Sequence, residues 1–323
     1  MAETVSVADK HPFQERINYQ GDLAPLLQNV CGSFGIGEYK NHQVIPVGYE
    51  DFNLALDTNK GKFFVKIFAA SRSEEDCERY VEIINRVVQA GVNHPRLLGP
   101  LFLASMDDKK DRLCVMEFAE GKTFYDLGEI PTAQEQEQII AQAAKINQID
   151  FKPPPLYDSW AVTSFAKEYD AKAGYLNPVD KQLVDAALRQ FETVDIEQLP
   201  HAFVHGDIIE TNVMRGADGK ILILDFAVAN YYPRIQELAV IISHLFSSGD
   251  PHIFKQNYNR AVELYQKYLF LTEGELKTLL IFIRAAFAME LLMSNYEKVA
   301  NNNNSKENEH FLELGRTGLT NLF

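Results

Sequence analysis

A chain of 323 residues is too long for one small hydrophobic core and suits two domains or a pair of lobes. Its 45 acidic side chains against 31 Lys and Arg give a formal net charge of −14, which offers no basic field to a phosphate backbone and argues against a nucleic-acid partner, while suiting a cationic or zwitterionic substrate. Hydrophobic residues at 46 % are ordinary for a globular protein, and three widely spaced cysteines (Cys31, Cys77, Cys114) lack metal-ligand spacing and read as reduced thiols.

The opening residues have neither a basic start followed by an apolar run nor a small-residue cleavage site. The longest apolar runs, such as 279–283, fall far short of a membrane span, so no membrane partner is expected and a cytoplasmic location is. A short helix is expected around Asp22 to Val30, and from Asn41 the pattern becomes strand, loop, strand, turn, strand. The turn is Asn59-Lys60-Gly61, a good hairpin signal between alternating apolar segments.

Lys66 stands inside the third of these strands, between Val65 and Ile67. A lysine there needs a carboxylate or phosphate partner, because an unpaired buried charge is expensive. Ser71 to Glu74 looks like a capping box for the next helix, whose apolar stripe runs from Tyr80 to Val88 before Gly91 ends it. Glu78 and Glu82 flank that stripe one turn apart and either could face Lys66; Glu82 is preferred by its distance from Gly91 and Pro95.

Two further strands are expected, Leu98 to Ser105 and Leu113 to Glu117, followed by a connector ending at Gly121. If this connector is a hinge, an adenine ring would bond to the backbone of Glu117 and Ala119. The divide between a β-rich lobe, 1–118, and a helical lobe, 119–323, is placed here. Beyond it Thr132 to Glu135 opens a helix, Asn177-Pro178 another, Ile235 to Leu245 carries a helical stripe, and Thr272 to Glu275 caps a long apolar helix through Met293. A short helix is expected at the C-terminus after the low-complexity run 301–304.

The segment from His205 to Asp225 carries the chemistry. Asp207 lies in a His-Gly-Asp turn, Asn212 follows just before a short apolar strand, and Asp225 ends the strand after the turn formed by Gly216 and Gly219. A hairpin brings its own ends together, so Asn212 and Asp225 are expected side by side. An amide oxygen and a carboxylate suit Mg²⁺, and Asp207 suits a base that orients and deprotonates an attacking hydroxyl. The spacing H-x-D-x-x-x-x-N, followed by D-F, is that of protein kinases and of small-molecule kinases built the same way.

From about Val44 to about Arg316 the chain resembles the aminoglycoside phosphotransferase/choline kinase superfamily. The resemblance rests on Gly206 within the His-Gly-Asp turn, the spacing to Asn212, and the segment Met116 to Gly121. It implies an α+β, bilobal, protein-kinase-like fold with a small β-rich N-lobe and a larger, mainly helical C-lobe. It also implies ATP and Mg²⁺ as cofactors, a small-molecule hydroxyl substrate, Asp207 as catalytic base, Asn212 and Asp225 as metal ligands, and Lys66 as the phosphate-binding lysine. Within the superfamily the loop from Gly48 to Asn53 and the run from Asp225 through Pro233 to Glu237 look most like the type II homoserine kinases, which implies a nucleotide-binding role for Gly48. Four positions depart from that group: Glu237 stands for its Asp, Asn147 for its His, Asp51 for its Asn, and Lys66 where it often has Thr. Two other readings stay open, a nucleotide-binding pseudokinase and a Ser/Thr protein kinase of the same superfamily. Phe226 to Pro233 holds neither Ser nor Thr for an activation-loop phosphosite, which weighs against the second.

Overall fold

A computed structural model describes residues 12–45, 51–106 and 108–322. The chain divides into two compact units, one running up to Gln89 and resuming at His94–Glu120, the other made of Ala90–Asn93 and everything from Gly121 onward. Ala90–Asn93, expected in the first lobe, thus cluster with the second unit. Asn93 explains this, since its N–H donates to Gln142 Oε1 and its Nδ2 to the carbonyl of Ile221.

The first unit is built on an antiparallel sheet of β1 (Tyr39–Ile45), β2 (Phe52–Thr58), β3 (Gly61–Ile67), β4 (Phe102–Met106) and β5 (Lys109–Glu117), in the order β1-β2-β3-β5-β4. Alternation sends Leu54, Leu56, Val65, Ile67, Leu113 and Val115 into one apolar cluster with Leu26, Leu27 and Val30 of helix α1 (Leu23–Phe34). The register sets Lys66 between Asn53 and Cys114 on the opposite face. Asp22 caps α1, accepting the N–H of Ala24, and Gly35 ends it at φ 62°. Helix α2 (Glu74–Gln89) is capped by Ser73 and Asp76, which exchange side-chain and backbone hydrogen bonds, rather than by the expected Ser71 and Glu74.

The second unit is mainly helical. Its strands are β6 (Gly121–Thr123), β7 (His201–Val204), β8 (Val213–Gly216), β9 (Ile221–Ile223) and β10 (Asn230–Pro233), forming a β6-β8-β9 sheet and a separate β7-β10 pair. Its helices are α3 (Phe124–Leu127), α4 (Ala133–Ile146), α5 (Phe165–Lys172), α6 (Pro178–Phe191), α7 (Ile235–Leu245), α8 (Pro251–Gln266), α9 (Glu273–Ala300) and α10 (Lys306–Asn321). The capping boxes at Thr132 and Thr272 start α4 and α9 as expected, and Asn177 caps α6 with Pro178 in its first turn. Helix α9 is the axis of the unit: α6, α7 and α10 pack on it, and its buried run extends from Leu279 to Asn295. Close approach of α10 depends on Gly315 and Gly318, where a β-carbon would stand 2.6 Å from the Phe287 carbonyl and 2.4 Å from its ring. Among the described residues, no helix is long and apolar enough to cross a membrane.

Candidate active site

Strand β7 delivers the chain into the His205-Gly206-Asp207 turn, and four hydrogen bonds fix that turn. His205 is fully buried, and burial lowers its pKa to about 4, so the ring is neutral. Its Nε2 donates to the Leu224 carbonyl at 2.8 Å while its Nδ1 accepts the N–H of Asp207 at 3.1 Å. The imidazole therefore ties Asp207 to the strand end that leads into Asp225. Gly206 adopts φ +85°, a conformation that favours glycine.

The other two bonds come from helix α7. Glu237, fully buried in its first turn, accepts the N–H of His205 on Oε1 at 3.0 Å and that of Gly206 on Oε2 at 2.9 Å. Burial raises the Glu237 carboxyl to about 7, against the opposing pull of those two N–H groups. Asn147 at the end of α4 donates to Glu237 Oε1 at 3.4 Å and to the Phe203 carbonyl at 3.0 Å, and receives the Tyr265 hydroxyl at 2.8 Å. Two of the four departures from the homoserine kinase pattern thus belong to one buried network that grips the turn.

The β8-β9 hairpin brings Asn212 and Asp225 together as expected. Val213 faces Ile223, and the N–H of Leu224 donates to the Asn212 carbonyl at 2.8 Å. Asn212 Nδ2 donates to Asp207 Oδ2 at 2.6 Å and to the Asp207 carbonyl at 3.0 Å, which turns Oδ1 away from Asp207. Asp225 takes φ +56°, uncommon outside glycine, and its Oδ1 accepts the N–H of Ala227 at 3.3 Å. Asp207 is pushed up to about 7, first by burial and then by the charge of Asp158, with Glu290 and Asp225 adding and His244 opposing.

Sequence reasoning missed a second ring of polar side chains around this turn. Glu210 accepts from His244 Nδ1 at 2.8 Å, and His244 Nε2 lies 3.3 Å from Glu290 Oε1. Burial alone would lower His244, but Glu210 and Glu290 hold it up to about 10, and in return His244 holds Glu210 far below the ordinary carboxylate range. Gln236 is fully buried and accepts the N–H of Thr163 on Oε1 at 3.2 Å. Gln236, His244 and Glu290 sit in the apolar runs of α7 and α9 that read as plain core, and Glu210 sits in the turn after Asp207, so only the polar side chains themselves could have marked them.

In the first unit the lysine is where the sequence places it, but its carboxylate is not. Lys66 Nζ donates to Asp51 Oδ2 at 3.0 Å, and Asp51 Oδ1 accepts from Arg72 Nε at 2.8 Å and from the N–H of Ala69 at 3.0 Å. Glu82, expected to pair with Lys66, is exposed on α2 and bridges Arg86 at 2.8 Å, and Glu78 is exposed as well. The correction has a simple cause: α2 buries the stripe containing Cys77, Tyr80, Ile84 and Val87, which turns both glutamates to solvent. Glu117 keeps its place at the end of β5, with its N–H spent on the Arg96 carbonyl at 2.9 Å and its carboxylate on the Arg96 side chain at 2.6 Å. An adenine contact at Glu117 would therefore have to use its carbonyl. Ala119 lies two residues on, half-buried, and Gly48 lies outside the described residues.

Asp51 explains its own departure, since a neutral Asn could not balance two cations. Removing one partner of a buried ion pair costs about 3–5 kcal/mol. Asp51→Asn is expected to lower the urea midpoint at pH 7 accordingly. Lys66 and Arg72 outweigh the cost of burial and hold the Asp51 pKa below its ordinary value, so its stabilisation is present above the unfolded-state pKa and fades as pH falls. The gap between wild type and variant should therefore narrow as the titration is repeated toward pH 3. An equal midpoint at pH 7 would remove Asp51 as the anchor of Lys66.

Residues 41–271 match the model of the phosphotransferase enzyme family. The chain is 21 % identical over 243 residues to a homoserine kinase of Methylobacillus flagellatus, covering 69 % of each chain. It is 23 % identical over 288 residues to a homoserine kinase of Rhodopseudomonas palustris, covering 84 % of this chain and 82 % of that one. The solved structure of an amicoumacin kinase in complex with AMP-PNP and Ca²⁺ superimposes with a TM-score of 0.63 at 14 % identity, over 90 % of this chain and 92 % of that one. At that identity the likeness shows the fold alone, a kinase-like α+β fold with a β-sheet N-terminal region and a helical C-terminal part. The family match spans most of the sequence, and the chain belongs to the phosphotransferase enzyme family, whose members transfer phosphoryl groups to hydroxyls.

Proposed function

We propose that this phosphotransferase is an ATP- and Mg²⁺-dependent kinase for a hydroxyl on a small, amine-bearing metabolite. The observation that carries the reading is the Asp207-Asn212-Asp225 constellation, in which one Asn212 amide clamps Asp207 and is itself held beside Asp225. With its Nδ2 committed to Asp207, Asn212 has its oxygen left for a cation, and the left-handed backbone of Asp225 suits a carboxylate presented from a tight bend. That donor set fits Mg²⁺. The metal, when bound, neutralises charge on the nucleotide phosphates.

Asp207 would orient the acceptor hydroxyl and take its proton as the oxygen attacks the γ-phosphorus. The bond from that phosphorus to the β–γ bridging oxygen breaks, and ADP leaves. Lys66, held by Asp51, would serve the α/β-phosphates, and the backbone of Ala119 and the Glu117 carbonyl would serve adenine. Rate enhancement would come mainly from positioning and charge neutralisation. Against the pseudokinase reading, all four of Lys66, Asp207, Asn212 and Asp225 are present.

The test is coupled ADP release with ATP and Mg²⁺ against homoserine, choline, ethanolamine, methylthioribose and several aminoglycosides. An acceptor-dependent signal that disappears without Mg²⁺ sustains the reading. Nucleotide binding with no acceptor-dependent turnover in that panel would shift the balance to the pseudokinase or to a polypeptide acceptor.

A further inference from the structure

The short loop that joins Asp207 to Asn212 contains Glu210, which is tied to the helices α3, α7 and α10. Its carbonyl accepts the N–H of Tyr125 in α3 at 3.0 Å. Its Oε2 accepts from Nδ1 of His244 in α7 at 2.8 Å, and its Oε1 lies 3.4 Å from Nε2 of His310 in α10. His244 is held in turn, its Nε2 standing 3.3 Å from Glu290 Oε1 in α9 and its ring meeting that of Phe311 edge-on at 5.8 Å. With a carboxylate oxygen at each ring nitrogen, both nitrogens donate and the ring is an imidazolium. The His244 side chain is 2 % exposed and that of Glu210 13 %, so solvent screens the pair little.

Packing alone does not call for a charged pair here. Ile208 and Ile209 already bury the apolar side of the loop, and a third apolar side chain would avoid the desolvation that a buried ion pair suffers. What the pair adds is a fixed direction for the loop. Glu237 and His244 stand about two helical turns apart on α7 and therefore on one face of it. Glu237 grips the chain ahead of Asp207, at His205 and Gly206, and His244 grips it behind, at Glu210. The N–H groups of Asn212 and Val213 both donate to the Ile209 carbonyl at 3.0 Å, so Glu210 lies inside the bend that sets the Asn212 backbone. We propose that His244 is a positioning residue for the metal side of the site, fixing through Glu210 the bend that presents Asn212. The proposal rests on the kinase reading above and deepens it, giving α7 one clamp for the base and another for the metal ligand.

The test compares wild type with His244→Gln, Glu210→Gln and the double variant. The first readout is Mn²⁺ binding in the presence of AMP-PNP, followed by electron paramagnetic resonance. Charge alone predicts opposite signs, since losing the imidazolium favours a bound cation and losing the carboxylate disfavours it; a loss shared by both variants reports position. Each single variant should weaken Mn²⁺ at least 10-fold, and the double variant should match the weaker single within twofold, because both break one link. AMP-PNP binding without metal should change less than twofold. In turnover, the Mg²⁺ concentration for half-maximal rate should rise at least 10-fold, with excess Mg²⁺ restoring most of the lost rate. Mn²⁺ affinity of His244→Gln within threefold of wild type, additive losses, or an equal loss of metal-free nucleotide binding overturns the proposal. The second readout needs no metal. Amide hydrogen exchange at Asn212 and Val213 should be at least 10-fold faster in both single variants, with the amides of α6 unchanged. Should His244→Gln fail to fold, the exchange of Glu210→Gln decides. If wild type binds no Mn²⁺ with AMP-PNP, the kinase reading falls by itself and exchange decides the clamp. Acceleration confined to 208–213 then sustains the positioning role, and unchanged exchange overturns it.

Discussion

Asp207→Asn is expected to lower turnover by about three orders of magnitude or more and to leave nucleotide affinity within about twofold. General-base assistance contributes roughly 10²–10⁴-fold, and the carboxylate also orients the hydroxyl for in-line attack. The substitution keeps the size of the side chain but replaces one of the two acceptor oxygens with an amide donor. Asn212 Nδ2, now 2.6 Å from Asp207 Oδ2, then meets either the new amide oxygen or its nitrogen. Because Asn212 also donates to the Asp207 carbonyl, the turn should persist and the protein should fold. The measurement is steady-state ADP release alongside nucleotide titration. Turnover within tenfold of wild type would remove Asp207 as the base, while lost nucleotide affinity would reassign it to the metal site.

The core of this site was legible because its spacing is a consequence of chain geometry. A turn, a five-residue offset and a tight hairpin leave little freedom, so Asp207, Asn212 and Asp225 could be placed from the sequence and are found together. The partner of Lys66 was not legible in the same way. Choosing between Glu78 and Glu82 assumed that the carboxylate must come from the following helix, whereas it comes from the chain just ahead of β2. Sequence pattern reports which face of a helix is apolar, and here that information already pointed both glutamates outward.

The second unit was readable where capping and stripe agree, as in α4, α6 and α9. Helix α8 went unrecognised, although Asp250 and Pro251 start it, because its apolar positions Phe254, Ala261, Leu264 and Tyr265 are sparse. The β7-β10 pair was missed for another reason. Tyr231, Tyr232 and Pro233 read as a lead into α7, and only the long-range pairing with Ala202, Phe203 and His201 makes them a strand. No local periodicity could reveal that, yet this pair is what holds the entry to the His-Gly-Asp turn. Burial was equally ambiguous for Gln236 and Glu290, whose neighbours in sequence are core residues of α7 and α9.

The grip of α7 on the turn leads to the second large expectation. Glu237→Ala strips the acceptors from the N–H groups of His205 and Gly206. Each buried donor left unpaired costs about 1–3 kcal/mol, so the two together should destabilise the protein by roughly 2–6 kcal/mol. The catalytic effect should be separate from this loss. A displacement of about 1 Å at a positioned group can lower rate by about 10²-fold, and freeing Gly206 shifts the residue next to Asp207. At temperatures where Glu237→Ala remains folded, kcat should therefore fall about 10²-fold with the KM for ATP little changed. Asn147→Ala provides the internal control, because Asn147 donates to the same Oε1 and braces it through Tyr265. If Glu237 acts through this network, the double variant should lose less stability than the sum of the singles, as expected for residues sharing one hydrogen-bond chain. Strict additivity, or a Glu237→Ala enzyme with wild-type kcat, would mean that the turn holds its shape without α7.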